Sequence, residues 1–137
     1  MPQLRRAQTT TFEDPQGPRF EGQYAGPSPT SGSLVTVVNY NIDHWREVAK
    51  AIEAFETLEP LPGADIILLQ EMYEIGAERI AKALRCDFVY YPATVSRHGR
   101  NFGNAILARW PLRGARKLIL PERHPFNQVM RIAVGAT

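Results

Sequence analysis

The residues best placed to do chemistry are a carboxylate, an amide and a short run of cations. The carboxylate is Glu71, which ends the stretch Gly63-Ala64-Asp65-Ile66-Ile67-Leu68-Leu69-Gln70-Glu71. Its four consecutive large apolar residues do not alternate with polar ones, the pattern of a strand buried on both faces of a helix-covered parallel sheet. Glu71 therefore stands at the carboxyl end of a central strand, where open α/β sheets bind their ligands. On pattern alone a solvated acid closing a strand is the simpler reading. The amide is Asn41, near the end of the β-branched run 34–42; asparagine also ends strands for turn reasons. The cations lie in Ser96-Arg97-His98-Gly99-Arg100-Asn101. This basic, turn-rich loop either stays solvated or grips a substrate phosphate.

The elements that must position these groups are legible in order. Residues 34–42 form a strand bounded by a Ser/Gly cluster. A helix then begins near Asp43, which can cap free backbone N–H groups, with Glu47 in its first turn. Val48, Ile52 and Phe55 recur at helical spacing to about residue 57, and Pro60 and Pro62 end the helix. The strand 65–70 follows. Strand, crossover helix and strand make a βαβ unit, so both strands run parallel and Asn41 and Glu71 emerge at one edge. Strict alternation sets Gln70 on the face opposite Glu71, hydrogen-bonded to nearby backbone.

A second helix spans about 75–84, with Glu78 and Lys82 at the favourable i,i+4 spacing. The strand 87–91 is stopped by Pro92, the strand 103–109 by Trp110-Pro111, and 115–120 and 129–136 are further strands around a polar loop. The run of strands after the second helix implies antiparallel pairing in a mixed sheet. The fold class is α/β.

The chain has 137 residues, 44% hydrophobic and 22% charged, near the averages for soluble globular proteins. That length corresponds to about one domain. A net charge of +2 is too small to attract nucleic acid in bulk. One cysteine, Cys86, excludes an internal disulfide and suits a reducing compartment. No apolar run approaches the roughly 20 residues needed to span a bilayer, and no apolar segment follows Arg5 and Arg6 as a secretory signal requires. A cytoplasmic location is the expectation. Residues 1–33, rich in Pro, Gly and Ser, read as a disordered leader outside the fold, with Phe12, Phe20 and Tyr24 able to dock on a neighbouring surface.

Three segments together resemble the endonuclease/exonuclease/phosphatase superfamily, the pancreatic-DNase-like phosphoesterases. They are Val38-Asn39-Tyr40-Asn41-Ile42, Ala64-Asp65-Ile66-Ile67-Leu68-Leu69-Gln70-Glu71, and Phe102-Gly103-Asn104-Ala105-Ile106-Leu107-Ala108-Arg109-Trp110-Pro111-Leu112. Arg131 falls where many members open the next strand with arginine. The resemblance covers residues 34–137 and implies a four-layer α/β sandwich of two mixed sheets with helices outside. The family's later motifs, an "Asn-x-His" strand, a "GDxN" pair and a terminal "Asp-His", are not found here. The expectation is thus the N-terminal half of the domain, truncated, with the general base beyond Thr137 and a complementing C-terminal half as partner.

The resemblance implies a divalent-metal-dependent phosphoesterase acting on a phosphoester, nucleic acid among the candidates. Mg²⁺ or Mn²⁺ suits such chemistry because it takes oxygen ligands, usually one or two carboxylates plus waters. Glu71 and Asn41 would hold the metal; Asn104, Arg97, His98, Arg100 and Arg131 would face the substrate, although Asn104 also suits binding to loop backbone. Trp45 and Trp110 read as packing residues, and His44 and His124 receive no role. One carboxylate and one amide hold Mg²⁺ weakly against water, so little activity is expected of this chain alone. The alternative is a non-catalytic binding module built on the shortened scaffold.

Overall fold

The computed structural model describes residues 10–28, 32, 34–42, 47–126 and 129–137. The apolar run beside Glu71 forms β3 (Ile66–Met72), and β2 (Val37–Asn41) pairs with it in parallel. Between them lies α1 (Val48–Thr57), whose buried Val48, Ala51 and Phe55 make the single apolar stripe that a helix packing on a sheet needs. The residue preceding α1 is Glu47, which makes no side-chain cap; the proposed cap Asp43, with His44 and Trp45, lies outside the described residues. After β3 the chain enters α2 (Glu74–Leu84) and leaves it through Arg85 in a left-handed conformation. The long hairpin β4 (Asp87–Val95) and β5 (Asn101–Ala108) follows, then β6 (Arg116–Ile119) and β7 (Ile132–Gly135).

The main sheet is mixed, in the order β1-β4-β5-β3-β2, and β6 and β7 pair antiparallel in a second sheet. The sheet's two faces bury different cores. Ile67, Leu69, Tyr90, Ala105 and Leu107 join residues of α1 and α2 on one face. Val89, Tyr91 and Ala93 meet Met130 and Ile132 on the other, beneath β6 and β7. The chain is an α/β protein of helix, sheet and sheet layers, consistent with part of a DNase-like fold. Among the described residues no helix is long and apolar enough to cross a membrane.

Two expectations are corrected. Fold contacts do not start at residue 34. Phe20–Gly22 forms the edge strand β1 against β4, and Thr11 bridges Thr94. Phe20 packs on Tyr90, and Tyr24 stacks on Phe88 while its hydroxyl bonds Glu78. Lys117, buried in β6, donates to the carbonyls of Phe12 at 2.7 Å and Gly17 at 3.1 Å. The docking of Phe20 and Tyr24 is as the sequence allowed; the backbone contacts of Thr11, Phe12 and Gly17 are what composition does not reveal. Pro92 also does not stop β4: the strand runs on to Val95, with the register slipping between Pro92 and Thr94. A bulge is one of the few strand sites that tolerate a residue lacking an N–H.

Candidate functional site

The edge where Asn41 and Glu71 emerge opens into a cleft of about 940 Å³. Glu71 reaches it through a break in strand regularity. Ile67 and Leu69 face the helices, so uninterrupted alternation would drive the carboxylate of Glu71 into that apolar core. The structure avoids this with a bulge. Leu69 pairs with Ala105 but Met72 with Gly103, so β3 spends three steps where β5 spends two. Glu71 takes the extra step with φ +58, a left-handed conformation rare outside glycine. Met72 inherits the helix-facing position and is buried with Ile67 and Leu69. Glu71 lines the cleft instead.

Gly103 serves the adjoining slip on the β4 side. It stands in β5 opposite Met72 on one side and Pro92 on the other, at two register slips at once. A Cβ there would lie 2.0 Å from the Tyr91 carbonyl oxygen, so only glycine fits.

The same bulge corrects the placement of Gln70, which does not turn away from Glu71; both residues line the cleft. The Gln70 amide donates to the side-chain oxygen of Asn39 at 2.6 Å and to the Leu68 carbonyl at 3.3 Å, so its bond to nearby backbone is present. Asn41 stands in register with Gln70 on the neighbouring strand. At the other end of β3, Asp65 accepts from the Thr36 amide at 2.8 Å and fixes the start of β2 rather than serving the cleft.

The cleft also has basic lining. Residues 96–100 close the β4–β5 hairpin, with Gly99 at φ +73 and the Ser96 amide donating to the Arg100 carbonyl at 2.7 Å. Arg97 Nε donates to His98 Nε2 at 3.3 Å. The Arg100 guanidinium sits 5.0 Å above the Tyr73 ring, only two residues along the chain from Glu71. Asn104 donates to the Ile132 carbonyl at 3.0 Å, tying β5 to β7. Arg131 enters from the chain leading into β7.

Glu71, Asn41, Asn104, Arg97, His98, Arg100 and Arg131 all line this one cleft. Gln70, Tyr73 and His124 line it too. His124 stands in the stretch after β6, its amide donating to the Val129 carbonyl at 3.0 Å; no local motif signals its place in the cleft. Among the described residues no group of three or more His, Cys, Asp or Glu side chains converges as a metal site. The lining of the cleft combines oxygen donors with guanidinium groups. That arrangement suits a phosphate anion bridged to a small hard cation.

Comparison with known families places the chain. The model of the Endonuclease/Exonuclease/phosphatase family matches residues 12–135. No curated protein and no solved structure matches with significant similarity.

Proposed function

Because the chain belongs to the endonuclease/exonuclease/phosphatase family, which implies phosphoesterase-type function, we propose that its cleft binds a divalent cation and a phosphoester for hydrolysis. Members of the family typically depend on a divalent metal. The donor chemistry fits: the carboxylate of Glu71 and the amide oxygen of Asn41 are hard oxygen ligands at adjacent strand ends. Mg²⁺ or Mn²⁺ usually keeps several waters and takes one or two carboxylates. A cation held there would polarise a phosphoryl oxygen and lower the pKa of an attacking water.

The chain's own residues supply the rest of the binding. Arg97, Arg100 and Arg131 neutralise the substrate's phosphate, with His98 beside them in the same lining. Gln70, anchored on Asn39, buttresses the strand end beside Asn41. A lone carboxylate with one amide leaves most of a cation's coordination to water. The reading therefore includes further ligands and a general base from a complementing segment.

The observation that carries this proposal is the diversion of Glu71 from the apolar core into the cleft by a left-handed bulge. Strained backbone of this kind concentrates at active sites. The test is Mn²⁺ titration followed by electron paramagnetic resonance, on the wild type, Glu71→Gln and Asn41→Ala. Weak binding in the wild type, reduced at least about tenfold in Glu71→Gln, is the expected result; even groups behind the ligands cost about 10–100-fold in affinity. Equal affinity in all three would leave a non-catalytic binding module as the better account.

A further inference from the structure

The left-handed turn at Glu71 needs something to hold it. Tyr90 lies in β4, two strands away from β3, with β5 between them. In β5 the residue paired with Tyr90 is Ala105, and Ala105 also pairs with Leu69 of β3. The three stand in one row across the sheet, on the helix-covered face. The small side chain in the middle leaves room for the tyrosine to reach over β5. Its hydroxyl donates to the Met72 carbonyl at 3.0 Å, one residue beyond Glu71.

We propose that Tyr90 is a positioning residue, whose buried hydroxyl pins the Met72 carbonyl and thereby holds Glu71 in the left-handed conformation that aims its carboxylate into the cleft. The device is rigid because it is dry. Tyr90 has 0% of its surface exposed, and its ring is wedged against Phe20 at 5.9 Å. Burial, with the charge of Glu74 adding to it, raises the hydroxyl's pKa, so it remains a donor across the physiological range. A tether of this length and rigidity restricts the backbone next to Glu71 without touching the carboxylate. Outer partners of this kind tune a ligand's affinity by fixing its direction.

The inference rests on the proposed metal-binding role of Glu71 for its functional consequence, but not for its geometry, and two readouts separate the two. Tyr90→Phe removes the hydroxyl and keeps the ring; Ile80→Val, in the same helix-side core, serves as a control for general loosening. The first readout is the intraresidue amide–Hα NOE of Glu71, which is strong when φ is positive. It should weaken in Tyr90→Phe and stay strong in Ile80→Val. The second is Mn²⁺ affinity, which should fall about tenfold or more in Tyr90→Phe and hold in Ile80→Val. A Tyr90→Phe protein that keeps both the NOE and the affinity overturns the proposal. A weakened NOE together with a Glu71→Gln variant that binds Mn²⁺ normally overturns the metal reading and leaves the positioning role supported.

Discussion

Replacing Glu71 by glycine and, separately, by alanine isolates the backbone from the carboxylate. Both variants lose the same acid and its contacts, so their difference reports on φ +58 alone. At an ordinary strand position alanine is the more stable of the two by about 0.5–1 kcal/mol, because glycine has more freedom to lose. At residue 71 the order should invert. A left-handed residue with a Cβ costs about 1–2 kcal/mol, and glycine's greater freedom in the unfolded chain returns about 0.4–1 kcal/mol of that. The net is about 0.5–1 kcal/mol in favour of Glu71→Gly. For a domain of this size that is about 2–4 °C in Tm. Urea melts followed by circular dichroism, with matched m-values, measure it. An alanine variant equal to or more stable than the glycine variant would show that the left-handed turn is not a constraint, and the account of how Glu71 reaches the cleft would fall with it.

Other outcomes follow from the same geometry. Gly103→Ala should cost about 3 kcal/mol or more, since its methyl group would meet the Tyr91 carbonyl at 2.0 Å in a region braced by two strands; a urea midpoint within error of wild type would refute the close approach. Lys117→Met leaves the half-buried Phe12 and Gly17 carbonyls without their donor, each net bond worth about 0.5–1.5 kcal/mol or somewhat more for a charged donor. Native-state trypsin cleavage after Arg19 should then accelerate about tenfold or more, and an unchanged rate would count against the anchor. Tyr90 sets an alkaline limit. Its folded pKa is raised, so its contribution is complete below the unfolded value of about 10 and declines as pH rises beyond it, where only the unfolded chain ionises. Between pH 9 and 11 the wild type should lose on the order of 1 kcal/mol relative to Tyr90→Phe; a constant gap would place the hydroxyl in water.

What the sequence made legible was whatever depends on local period. The β2–α1–β3 unit follows from the unalternating run 66–69 and the stripe of Val48, Ile52 and Phe55, and the structure pairs β2 with β3 in parallel as those patterns require. The emergence of Asn41 and Glu71 at one edge follows from that topology, whereas Asn104 and residues 97–100 reach the cleft through the antiparallel pairing of β5 with β3 and β4. What was not legible depends on partners distant in the chain. Alternation set Gln70 opposite Glu71 because a bulge is defined by the neighbouring strand, through Gly103, and not by the bulged residues themselves. Proline at 92 reads as a stop only while the register slip beside it is unknown. Tyr90 gave no sign of its reach, since only the pairing of Ala105 with both flanking strands reveals it. His124 was passed over because its place in the cleft depends on contacts such as its amide's bond to the Val129 carbonyl, which no local pattern announces.

The anchoring of the first strand by Lys117 has an evolutionary corollary. An amine that binds two main-chain carbonyls recognises a path, not a set of side chains. Substitutions along residues 12–17 therefore keep these two bonds as long as the chain follows that path, whereas position 117 has little latitude: burial depresses the amine's pKa, with Asp14 opposing the shift. Related chains should diverge quickly through this segment while retaining a long cationic side chain on β6. Drift in the letters would then disguise a contact that the fold continues to make.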